Sequence, residues 1–102
     1  EILQGRKRAL YNGSCVVSVV VDQKGDLLAD PVITTEGLLD PDGDDYLWNQ
    51  LFDVIDNVFA TTSSKDKKDD EELEEKIRIK VRKWFKNTFS KRTVTHIHLL
   101  RV

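Results

Sequence analysis

Apolar residues crowd both parities of residues 15–21. Cys15, Val17, Val19 and Val21 fall on one, Val16 and Val20 on the other, and Ser18 is the single polar position. A half-exposed strand alternates apolar and polar, so this pattern predicts a strand covered on both faces, by helices on one and by another chain or domain on the other. Asp22 to Asp26 is a polar stretch of hairpin length containing Gly25. Leu27-Leu28-Ala29 continuing to Val32-Ile33-Thr34-Thr35 reads as the second strand. Pro31 interrupts it and has no N–H for a ladder, which predicts an edge or bulged strand.

The period then changes. After a loop over residues 37–45, with Pro41-Asp42-Gly43 as a turn, Leu47, Leu51, Val54, Ile55 and Val58 recur at helical spacing. Trp48, Phe52 and Phe59 widen the stripe, Asp44 or Asp45 is placed to cap, and the helix is expected to end near Ala60. Thr61 to Asp70 holds no apolar residue and predicts a mobile surface loop, tolerant of shortening or of replacement by Gly and Ser. A second helix begins near Asp70, with Asp69, Asp70, Glu71 and Glu72 at its positive end and Lys80, Arg82, Lys83 and Lys86 toward its negative end. Leu73, Ile77, Val81, Trp84, Phe85 and Phe89 line one face, while Glu72 and Lys76 sit one turn apart as an attractive pair. A last strand runs from Val94 to Val102 and must pair with something internal. The fold class is α+β: a small three-stranded sheet carrying two helices on one face.

The 102 residues suit one domain. We expect residues 1–14, with Arg6-Lys7-Arg8 and Asn12-Gly13, to be a connector, and residues 15–102 to be the domain. The chain opens on Glu1 and has no Met, so it is expected to be a piece of something larger. A net charge of −2 and a pI of about 5.7 are less basic than a nucleic-acid module usually shows. The lone Cys15 allows no internal disulfide and reads as a small core residue, which fits a reducing, cytoplasmic setting. No run approaches the ~20 apolar residues of a membrane span, and no apolar signal core follows Arg6-Lys7-Arg8.

Candidate chemistry is sparse. His96 and His98 share a strand face and could aim at one metal ion, but zinc wants three or four ligands and the chain has 2 His. A histidine pair hydrogen-bonded across a sheet or an interface is the reading taken. Asp40, Asp42, Asp44 and Asp45 surround Gly43, but the late bidentate Glu of a calcium loop is missing, which leaves a solvated loop and a helix cap. Lys80, Arg82, Lys83, Lys86, Lys91 and Arg92 are cations that phosphates would suit; acids in the same helix offset them, which favours a solvated face. Cys15 has no cationic or helix-terminal setting to make it a thiolate.

The order of these elements resembles the C-terminal domain of the ribonuclease J family. The resemblance rests on Gly5-Arg6-Lys7-Arg8-Ala9-Leu10-Tyr11-Asn12-Gly13, on Val17-Ser18-Val19-Val20-Val21-Asp22 with Gly25 and Leu27, and on Asp30-Pro31 with Ile33, Glu36 and Gly37. Trp84-Phe85, Lys91-Arg92 and Leu99-Leu100-Arg101-Val102 complete it, while Thr93 stands where many members have proline. The resemblance implies a parent hydrolase with a metallo-β-lactamase and a β-CASP domain, two zinc ions, and 5′ exo- and endonucleolytic RNA degradation. It implies that the metal ligands belong to that catalytic part, with no catalytic residue, metal or cofactor here. The role it implies for this segment is subunit association, as a homodimer, and support of the parent's catalytic domains, with RNA reached through the parent and no membrane contact. Val16, Ser18 and Val20 are the outward set in the first strand. Parity alone leaves open whether the His96, His98 and Leu100 row or the Ile97 and Leu99 row lies beside them; the candidate interface is written with His96, His98 and Leu100. The alternative is an RNA-binding domain acting through Lys83, Lys86, Lys91 and Arg92.

Overall fold

The computed structural model describes residues 13–37 and 43–102. The predicted turn at Pro41-Asp42, the calcium-loop residues Asp40 and Asp42, and the connector up to Asn12 lie outside the described residues. Three strands, β1 (Ser14–Val21), β2 (Val32–Glu36) and β3 (Val94–Arg101), form one mixed sheet in the order β2-β1-β3. Three helices lie between β2 and β3 in the chain: α1 (Asp45–Thr61), α2 (Ser64–Lys67) and α3 (Asp70–Phe89). The architecture is α+β, as expected, with one short helix added.

The strand directions follow from the connections. A short loop returns β2 antiparallel beside β1, with Val16 opposite Thr34 and Ser18 opposite Val32. A crossover long enough to hold the helices brings β3 back parallel on the other side. The terminal strand pairs with β1 over its whole length, from Ser14↔Val94 to Val21↔Arg101. Val102 N–H extends the ladder to the Val21 carbonyl at 3.0 Å. Leu27 makes only an isolated bridge to Val21, and β2 proper starts after Pro31, consistent with a strand interrupted by proline.

The core parity is the expected one. Cys15, Val17, Val19 and Val21 are buried, packed with Leu51, Ile55, Val58 and Phe59 of α1 and Leu73, Ile77, Val81 and Phe85 of α3. Each such side chain is worth about 1.5–3 kcal/mol of hydrophobic transfer. Trp84 and Phe89 are half-buried and meet Phe85 and each other, Trp84 edge-on to Phe85 at 4.9 Å between centroids. α1 runs one residue past Ala60. α3 starts where the acids predicted, with the Asp69 carboxylate accepting from Glu71 N–H at 3.1 Å and Glu72 N–H at 3.4 Å. It ends on Ser90 in the left-handed conformation (φ 57°), whose N–H donates to the Lys86 carbonyl at 2.8 Å.

Two expectations fail. The stretch between the long helices is not a free loop. Ser63 Oγ accepts from Asp66 N–H at 3.2 Å and caps α2. Lys67 Nζ then reaches Asp26 Oδ1 at 2.6 Å, while the Lys67 carbonyl accepts from Arg101 Nη2 at 2.7 Å. The stretch is docked through polar groups, so the lack of apolar residues was no guide to its mobility. Lys76 likewise turns to Asp66, 3.6 Å away, rather than to Glu72. In that orientation it tethers α3 to the docked segment.

Candidate interaction surfaces

The sheet has one face under the helices and, among the described residues, one face without an element on it. Strand pairing decides what the second face carries. Opposed residues in neighbouring strands point the same way, so Val16, Ser18 and Val20 stand between Thr34 and Val32 on one side and His96, His98 and Leu100 on the other. The parity left open by the sequence thus falls to the His96, His98 and Leu100 row. Ile97 and Leu99 turn inward and pack against the core. Val32 is 64% and Leu100 60% exposed, large for aliphatic side chains, while Val16, Ser18 and Val20 are half-buried. Among the outward positions of the three strands Glu36, at the far corner of β2, is the one fixed charge.

His96 and His98 are both exposed on this face. Among the described residues no group of three or more His, Cys, Asp or Glu side chains comes together as a metal site. His96 instead borders a hollow at the β3 edge with Thr95 and Ile97, across from Glu71, Glu74, Glu75 and Arg78 of α3. There the Arg78 guanidinium donates to Glu75 through Nε at 2.9 Å, and this hydrogen bond holds the Glu75 carboxyl below the usual carboxylate range. A depression between β2 and α1, lined by Ile33, Asp45, Trp48, Asn49 and Phe52, is wide open to solvent, unlike an enclosed ligand pocket. Cys15 is fully buried, and loss of hydration pushes its thiol up to about 12, the opposite of an activated nucleophile.

A third surface lies on the solvent side of α3. Ile79, Arg82, Lys83 and Lys86 recur at three- and four-residue spacing, and Arg92 from the connection to β3 closes a shallow hollow around the half-exposed Ile79. The structure thus gathers Lys83, Lys86 and Arg92 of the candidate RNA set, adds Arg82, and leaves Lys91 off the hollow. One signal in the sequence could have found it. All 18 acidic residues precede residue 76, whereas of the 16 Lys and Arg seven precede it and nine lie from residue 76 onward. The acids in the first half of α3 offset the total, not the local charge.

The family model of the ribonuclease J C-terminal domain matches residues 1–102, the whole chain. The chain belongs to the ribonuclease J C-terminal domain family. It is an accessory part of a ribonuclease, and its α+β sheet with helices on one face is the framework on which that part is built. No curated protein matches the chain. No helix among the described residues of this ribonuclease J C-terminal domain is long and apolar enough to cross a membrane.

Proposed function

We propose that this chain is a non-catalytic oligomerisation and architectural domain of a zinc-dependent, cytoplasmic ribonuclease, and that it self-associates as a homodimer through the open face of its sheet. The observation that carries the reading is that face itself. Val32 and Leu100 are exposed and the half-buried Val16 and Val20 lie on the same face, interspersed with the uncharged Ser18 and Thr34 and with His96 and His98, and apolar surface of this kind marks protein contacts. A second copy suits it because a twofold contact sets a patch against itself. Most charged patches would repel their own copy, whereas this one carries Glu36 alone, at its corner. The zinc of this reading is what the family resemblance implies for the catalytic part of the parent enzyme, and no role in holding it is proposed for His96 or His98.

Light scattering of the chain over a range of concentrations tests the proposal. A mass twice that of the 11.7 kDa chain supports it. A chain that stays monomeric at high concentration overturns it in favour of the parent's catalytic domains as the cover of that face.

A further inference from the structure

We infer that the outer face of α3 is a binding site for the phosphate backbone of single-stranded RNA, made by Arg82, Lys83, Lys86 and Arg92 around Ile79. The four cations line one shallow hollow, and none of them forms an ion pair with a described residue. The other cations of the same stretch differ: Lys76, Arg78 and Arg101 are each held by a carboxylate. From residue 76 onward the chain supplies no acidic side chain, and Glu75, the carboxylate that feels the Arg82 charge, is itself taken up by Arg78. Arg82 and Lys86 stand one helical turn apart, ~6 Å along the axis, and point their charges into the same depression. A polyanion with regularly spaced charges is the complement of such a row.

The chemistry also limits what the site can read. Trp84 is packed with Phe85 and Phe89 and offers no free platform for a base. Among the described residues that line the hollow Ile79 is the one apolar side chain. The site therefore grips phosphates and is indifferent to base identity. It lies on the helical layer's outer side, away from the open sheet face, so a dimer through the sheet leaves both copies of it accessible. The inference does not rest on that dimer.

The test is fluorescence anisotropy of a labelled oligouridylate and a labelled oligoadenylate with the 102-residue chain, over a salt series. Four phosphate contacts predict that log K falls against log salt with a slope of about −3, from roughly 0.7 per contact on a single strand. Arg82→Gln with Lys86→Gln should halve that slope and weaken low-salt binding about tenfold, and Lys83→Gln with Arg92→Gln should do the same. The pair Lys65→Gln and Lys68→Gln, on and beside α2, should leave affinity within about twofold. Circular dichroism identifies any variant that fails to fold, and the remaining pair then decides. The inference is overturned if the wild-type chain does not bind either RNA at low salt, or if the α2 pair weakens binding as much as the α3 pairs. It is equally overturned if polyglutamate or anionic vesicles compete as well as RNA, because the hollow would then answer to any negative surface.

Discussion

Arg101 donates through Nη2 to the carbonyl of Lys67 at 2.7 Å, joining the last residue of β3 to the last residue of α2. The same guanidinium gives Nε to Asp70 Oδ1 at 2.8 Å and Nη1 to the carbonyls of Asp22 and Gln23 at 3.0 and 3.1 Å. One side chain, 14% exposed, thereby holds the β1–β2 turn, α2 and the start of α3 together. Arg101→Ala is expected to cost about 2–3 kcal/mol, because it leaves three carbonyls without this donor. Arg101→Lys should recover less than half, since an ammonium cannot reproduce the planar fork. Asp70→Asn removes one partly exposed ion pair and should cost under about 1 kcal/mol. Urea unfolding of the three variants checks the order; equal losses at Asp70 and Arg101 would show that the ion pair, not the carbonyl contacts, carries the effect.

Gly25 makes the same junction from the other side. Its φ is +89°, and a Cβ there would lie 2.2 Å from the Lys67 carbonyl oxygen and 2.8 Å from the carbonyl carbon. Both are backbone atoms that no rotamer change can move. Gly25→Ala is therefore expected to lose at least about 2 kcal/mol, combining left-handed strain with displacement of α2. Hydrogen exchange should show faster opening over residues 63–70. An alanine variant as stable as the parent would mean that α2 does not sit against the turn.

This junction is where the sequence was least legible. Long-period signals carried the rest: the valine row of β1 gave the buried parity, Leu73 to Phe85 gave the face of α3, and the acids at 69–72 gave its start. Those features are apolar periodicity and helix-end charge, which act locally. Docking of α2 depends on a glycine at 25, a lysine at 67 and an arginine at 101, and no local pattern links them. The candidate surfaces divide in the same way. The outward set of β1 followed from parity, but only the parallel register of β3 put His96, His98 and Leu100 beside it. The cationic hollow was hidden by adding charge over the whole helix, when the acids occupy one half and the bases the other.

Asp22 ties pH to the β1–β2 turn. Its carboxylate accepts from Asp26 N–H at 3.0 Å and from Lys24 N–H at 2.9 Å, and the bond from Asp26, then that from Lys24, holds its pKa below the ordinary carboxylate value. The folded state therefore binds the proton less readily than the unfolded chain. The stabilisation is fully present above the unfolded carboxylate range and is lost as pH falls through the lowered folded value. Asp22→Asn should flatten the acid limb of a plot of melting temperature against pH. An unchanged limb would assign acid sensitivity to other carboxylates.

Cys15 predicts the opposite limb. Burial pushes its thiol up to about 12, whereas an exposed thiol ionises near ~8.5. Between those values the folded state holds a proton that the unfolded chain has lost, so stability falls as pH rises through this window. At pH 8 the thiol should react with a disulfide reagent only through unfolding, at a rate that climbs with urea. Reaction of the native chain as fast as that of unfolded protein would show that β1 opens on its own.

The open face gives the prediction that separates core from contact within a single strand. Val16 and Val20 are half-buried and point away from the helices, while Val17 between them is fully buried among α1 and α3 side chains. In the proposed dimer, Val16→Glu with Val20→Glu sets carboxylates against their own copies. Like-charge contact of that kind should weaken association at least ~100-fold, about 3 kcal/mol. Light scattering should then find the monomer mass, and circular dichroism the parent's spectrum. Val17→Glu, one residue away, should unfold the chain, because it buries an unpaired charge in the core. Loss of structure in the Val16 and Val20 variant would make those residues core and shift the contact elsewhere. A variant that keeps the parent's dimeric mass would likewise move the interface off this face, leaving β3's exposed edge or the helical layer as the surface through which two copies meet.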